Sequence, residues 1–163
     1  MKENELIHWG DRYRIGIPLI DEQHKTLIDM TNTLYLGCLE GDESANAYFL
    51  KTIHEAVDYV RFHFTTEEKL LERINYPGLT AHKKEHENFV KEILQQVQAF
   101  QEGKKFVPNI FVRYLRDWVL THIAVSDKLY ARYLVEMKKQ GVLLNMASKA
   151  QYAVARIKHR LES

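Results

Sequence analysis

The sequence predicts an all-α protein, an antiparallel up-down-up-down four-helix bundle with an N-terminal arm and an extra C-terminal helix. Three observations carry this. Glycine and proline are scarce, seven and three in 163 residues, and they fall where helices should begin or end. Apolar residues recur at helical spacing over four segments of about 20 to 30 residues. The connections between those segments are short, so successive helices become antiparallel neighbours around one core. The expected division is an arm over 1–17, a bundle over 18–141 and an amphipathic helix over 142–163.

Each element follows from local sequence. The irregular arm carries Trp9, Tyr13 and Ile15, and Pro18 suits the first turn of a helix that runs to about Leu39. The second helix should start near Asp42 or Ser44 as cap. Its apolar stripe reads Leu50, Ile53, Val57, Val60, Phe64, Leu71 and Ile74, and it stops at "NYPG". The third begins after Thr80 and ends at Gly103, and its stripe starts with His82 and His86 before Phe89, Ile93, Val97 and Phe100. The fourth opens around Pro108, places Phe111, Leu115, Trp118, His122, Val125, Leu129 and Tyr133 on one face, and stops at Gly141. Beyond it, Leu143, Met146, Ala150, Val154, Ile157 and Leu161 share one side of a fifth, amphipathic helix.

Composition narrows the function. With 45% hydrophobic and 28% charged residues and a net charge of +1, there is no electrostatic case for a nucleic acid or membrane partner. No apolar run is long enough for a signal segment or a bilayer span, so a cytoplasmic location is expected. Cys38 is the only cysteine; it excludes an intramolecular disulfide and reads as a buried thiol rather than a nucleophile.

The informative residues are polar ones at core positions. His24 lies on the face marked by Ile20, Leu27 and Ile28; His63 flanks the second stripe and Glu67 lies within it; His82, His86 and His122 sit in theirs. Unpaired, such groups cost roughly 2 to 7 kcal/mol each, and more when charged. A metal satisfies them together, because imidazole nitrogen and carboxylate oxygen are its ligands. Residues four apart differ by about 40° around a helix, so His63 with Glu67, and His82 with His86, can each converge on one centre. His122 and Asp127 are five apart, about 140° on an ideal helix. Their convergence needs a local bulge in the fourth helix, or an aspartate reaching sideways to a second metal.

Two other chemistries would use subsets of these residues. "HKKEH" matches a short zinc-peptidase signature with Glu85 as general base, but that reading leaves His24, His63, Glu67, His122 and Asp127 unexplained. A carboxylate-rich di-iron oxidase would show two Glu-x-x-His motifs on separate helices, whereas here the donors are mostly histidines.

Four motifs in order, "GIPLIDEQHK", "HFTTE", "HKKEH" and "HIAVSD", make the chain resemble bacterial hemerythrin-like proteins over residues 9–135, and Trp9, Tyr13 and Gly16 resemble that family's arm. The resemblance implies two non-haem iron ions bridged by an oxo or hydroxo group. It implies that His82, His86 and His122 hold one iron, that His24 and His63 hold the other, and that Glu67 and Asp127 bridge them. One coordination position then stays open on the two-histidine iron, where O2 would bind. Leu27, Phe64, Trp118, Val119 and Ile123, near the ligands in sequence, are the candidates for a dry O2 pocket. The implied function is O2 carriage, storage or sensing rather than catalysis, with oxidase, peroxidase or nitric oxide chemistry at the same site as the alternative. Glu68 and Glu85 lie about 100° from the neighbouring ligand directions and are expected to face solvent; His8, His54 and His159 fall outside the pattern. Segment 142–163 is expected either to enlarge the core or to contact another subunit or protein.

Overall fold

The computed structural model describes residues 4–141 together with 155, 156 and 159. Every regular element among the described residues is helical: α1 (Pro18–Glu40), α2 (Asp42–Tyr59), a π-helical stretch π1 (Val60–Phe64), α3 (Thr65–Arg73), α4 (Leu79–Gln101), α5 (Val107–Trp118), a second π-helical stretch π2 (Val119–Asp127) and α6 (Lys128–Lys139). The run α2–π1–α3 is unbroken, as is α5–π2–α6. The eight elements therefore form four rods, and the short links between them give a four-helix bundle. None is long and apolar enough to cross a membrane.

Glycines set the tightest junction. Gly41 alone separates α1 from α2 and takes φ 120°, a conformation that L side chains rarely adopt. It also takes the cap position expected of Asp42 or Ser44, and the Ser44 hydroxyl donates to Glu40 Oε2 at 2.6 Å instead. One turn back, a Cβ on Gly37 would meet Tyr48 Cδ2 at 2.5 Å, so only glycine lets the first two rods approach so closely.

That approach explains a correction. The buried face of α2 is Ala45, Phe49, Thr52, Ala56 and Tyr59, whereas Leu50 and Val57 of the expected stripe are more than half exposed. Both sets obey the helical period; Ala45, Thr52 and Ala56 on the inner face are small enough for close packing, and periodicity alone does not fix the phase. In the fourth rod, Val125 and Leu129 are exposed while Asp127, Tyr130 and Ala131 are buried. Here π2 is the cause, since its wider turns shift the phase of everything after it.

The arm is pinned at three places. Ile7 N donates to Asn32 Oδ1 and Asn32 Nδ2 donates to Ile7 O, at 2.9 and 2.8 Å. Ile15 N and Gly16 N donate to the Asp21 carboxylate, and Lys128 Nζ donates to the carbonyls of Asp11 and Arg14. The larger apolar cluster includes Leu34, Phe49, Phe89, Phe111 and Leu115; a smaller one contains Ile20, Leu70, Leu71, Ile74 and Tyr130. The histidines lie between them, with Phe64 and Trp118 on one side and Tyr130 on the other. Cys38 is half-buried and its thiol is pushed up by burial, so it stays protonated. The expected fifth helix over 142–163 lies outside the described residues except at 155, 156 and 159, which are helical and exposed.

Candidate metal centre

Each rod delivers buried donors to one place: His24 from α1, His63 from π1 and Glu67 from α3, His82 and His86 from α4, and His122 and Asp127 from π2. All seven are at most 3% exposed. Their atoms fall into two sets, each within 4.8 Å of one another: Glu67, His82, His86 and His122, and His24, His63, Glu67 and Asp127. Glu67 belongs to both. Its Oε2 lies 3.0, 3.1 and 3.4 Å from Nε2 of His82, His86 and His63. Asp127 also spans the sets, with Oδ1 3.1 Å from His122 Nε2 and Oδ2 2.9 Å from His24 Nε2. The bulge needed for His122 and Asp127 is present as π2, where residues five apart come onto one face.

The donors fit a cation because several of their atoms are left unsatisfied by one another. His24 Nε2, His63 Nε2 and both Asp127 oxygens are buried without a hydrogen-bond partner among the described residues. His86 Nε2 and His122 Nε2 sit 3.2 Å apart. Outer partners orient the rings: Gln23 Oε1 lies 2.9 Å from His63 Nδ1, Glu68 Oε1 lies 2.8 Å from His86 Nδ1, and Glu85 Oε2 lies 2.5 Å from His122 Nδ1. Since these oxygens only accept, each Nδ1 carries the hydrogen, and in the neutral ring Nε2 presents a lone pair to the centre.

Electrostatics agree. Burial, the largest influence on His63, pushes it down to about 3, so it is neutral. Burial pushes the Glu67 carboxyl up, but the surrounding imidazoles of His63, His122, His82 and His86 outweigh this and hold it well below the usual carboxylate range. Burial also disfavours charge on His122, yet Asp127, Glu67 and Glu85 raise it well above an ordinary histidine. The carboxylates thus hold positive charge at the centre. A divalent ion supplies the same charge and displaces the proton.

Glu68 and Glu85 are corrections: each backs a histidine instead of facing solvent. They are only partly exposed, and Ser126 Oγ also donates to Glu85 at 3.0 Å. Engaged in this way, Glu85 is not free to act as the general base of a peptidase. Sequence reasoning also missed Gln23, Tyr130 and Tyr59. Tyr130 OH donates to Glu67 Oε1 at 2.5 Å; its place three residues after Asp127 was the available signal. Tyr59 stacks on His63 with ring centroids 4.7 Å apart, and its hydroxyl has no partner among the described residues. Among the expected lining residues, Phe64 stacks on His86 at 3.7 Å and Trp118 on His122 at 4.1 Å. Leu27, Val119 and Ile123 are fully buried. His8 and His54 are exposed and outside both sets, and His159 is exposed as well.

Comparison with known proteins points the same way. The family described as hemerythrin HHE cation binding domain matches residues 15–134. Bacteriohemerythrin of Stenotrophomonas maltophilia is 36% identical over 126 residues, covering 77% of this chain and 80% of that protein. Bacteriohemerythrin of Pseudomonas aeruginosa is 34% identical over 148 residues, covering 86% and 94%. A crystal structure of wild-type hemerythrin superposes with TM-score 0.66 at 31% identity, covering 78% of this chain and 96% of its own.

Proposed function

The chain belongs to the hemerythrin family, and from that premise we propose that it binds O2 reversibly at a non-haem di-iron centre, for carriage, storage or sensing in the cytoplasm. The observation that carries this is the pair of buried donor sets sharing Glu67, with orphaned nitrogen and oxygen atoms facing one another. His82, His86 and His122 would hold one iron, His24 and His63 the other, with Glu67, Asp127 and an oxo or hydroxo group bridging. The two irons, when bound, supply the electrons and the open coordination position that O2 requires.

The protein's own task is orientation and exclusion of water. Phe64 and Trp118 cover the faces of His86 and His122, fixing those rings and keeping solvent from the metal-ligand bonds. Leu27, Val119 and Ile123 are fully buried in the same apolar cluster as Phe64 and Trp118. A dry surrounding slows loss of an oxidised oxygen species to water or anions, which favours release of O2 unchanged. Tyr130 keeps its proton, because burial, followed by the charges of Glu67 and Asp127, raises its phenol well above the ordinary range. It therefore acts on Glu67 as a fixed hydrogen-bond donor. By the resemblance to the family, five histidines against two carboxylates favour binding of O2 over its activation, so the protein is read as a binder and not an enzyme.

The test is spectroscopic. Purified protein loaded with iron is reduced without air, exposed to O2 and degassed. A visible band that appears with O2 and disappears on degassing is expected. A band that decays irreversibly overturns reversible binding in favour of the oxidase reading, and absence of colour overturns the di-iron assignment.

A further inference from the structure

The outer partners of the histidines differ in charge between the two donor sets. In the set of Glu67, His82, His86 and His122, two rings are backed by carboxylates: Glu68 on His86 and Glu85 on His122. In the set of His24, His63, Glu67 and Asp127, the one backed ring is His63, and its partner is the neutral amide of Gln23. His24 Nδ1 is buried with no hydrogen-bond partner among the described residues. Glu67 and Asp127 reach toward both sets, so they do not create the difference.

Resting on the di-metal reading above, we propose that these outer partners make the two metal positions unequal: Glu68 and Glu85 make the three-histidine position fill first, and Gln23 leaves the two-histidine position to fill last and empty first. A carboxylate accepting an imidazole N–H polarises the ring, makes the opposite nitrogen a stronger donor and adds negative charge near the cation. An amide acceptor orients the ring equally well but adds no charge. The carboxylates are held for this role. Ser126 donates to Glu85, and Lys83 Nζ lies 4.0 Å from Glu68 while engaging Glu72 at 2.5 Å. The consequence suits an O2 binder, because the exchangeable position is also the one with the open coordination site, while the second ion stays in place as a fixed half of the centre. Glu68, Glu85 and Gln23 are positioning residues; they do not enter either donor set.

The histidine count, three against two, also favours the first set, so the test must isolate charge. Metal-free protein is titrated anaerobically with Co(II), and its visible bands report each step. Wild-type protein should take up two equivalents in two resolved steps. Glu68→Gln and Glu85→Gln, measured separately, keep an acceptor of the same shape and should each weaken the first step by about 10 to 100-fold while leaving the second. Gln23→Glu should strengthen the second step and bring the two together. Two equivalents taken up in steps that the three variants leave unchanged, or shift alike, would overturn the proposal while sparing the di-metal reading. Fewer than two equivalents in wild-type protein would overturn the di-metal reading itself. Thermal melts of the metal-free variants separate either outcome from misfolding, since a merely structural role moves stability and not the step order.

Discussion

Two tyrosines buried beside the donors, Tyr59 at His63 and Tyr130 at Glu67, make opposite demands, and replacing each with phenylalanine tests the account of the centre. Tyr130 donates to the Glu67 carboxylate at 2.5 Å, with both groups wholly buried. A hydrogen bond to a charged group contributes about 1.5 to 3 kcal/mol, and its loss leaves Glu67 Oε1 without compensation. For a chain of this length each kcal/mol moves the midpoint by about 2 to 4 °C, so Tyr130→Phe should lower the Tm of metal-free protein by about 3 to 12 °C. Tyr59 is also buried, but its hydroxyl has no partner among the described residues. Tyr59→Phe removes a buried unsatisfied group without changing ring shape, so the midpoint should stay or rise. Circular dichroism melts in chelator measure both. Bound metal neutralises Glu67, so the Tyr130→Phe deficit should shrink when the protein is loaded. If Tyr59→Phe falls as far as Tyr130→Phe, the orphaned hydroxyl has a partner and the reasoning fails.

Two further expectations concern His63 and segment 142–163. Folded His63 is held near 3 by burial, against about 6.5 unfolded, so as pH falls the unfolded chain takes up its proton first. Its contribution to stability is therefore present above pH 6.5 and lost between there and about 3. His63→Phe should flatten the pH dependence of the metal-free urea midpoint across that window, and an unchanged slope would refute the assignment. If segment 142–163 contacts another subunit or protein, its deletion should leave iron content and O2 affinity intact while abolishing that contact. Loss of iron on deletion would instead make that segment part of the fold.

The bundle was legible because its rods keep a helical period and its glycines stand at their ends. What periodicity did not reveal was phase. Leu50 and Val57 obey the period as well as Phe49 and Ala56 do, and only the close approach at Gly37, where a Cβ would strike Tyr48, decides which set faces inward. In the fourth rod the polar pattern carried more information than the apolar one. His122 and Asp127 could not share a face of an α-helix, and the stretch π2 that brings them together also turns Val125 and Leu129 outward. The anomaly that required a bulge was therefore the clue to the rods' true register after it.

The misplaced acids follow a rule that single-helix geometry cannot express. Glu68 and Glu85 do point away from the ligands beside them in sequence, as the helical rotation requires. Pointing away from one's own ligand in a bundle means pointing toward a neighbouring helix. Gln23, beside His24, reaches His63 on the second rod; Glu68, beside Glu67, reaches His86 on the third; Glu85, beside His86, reaches His122 on the fourth. Each of these three residues, flanking a donor, thus orients a histidine of the next rod in chain order. This linkage means that the rods must be in register before any of these three rings is fixed. The geometry of the centre is consequently a property of the packed bundle, which is why its donors were visible residue by residue while their supports were not.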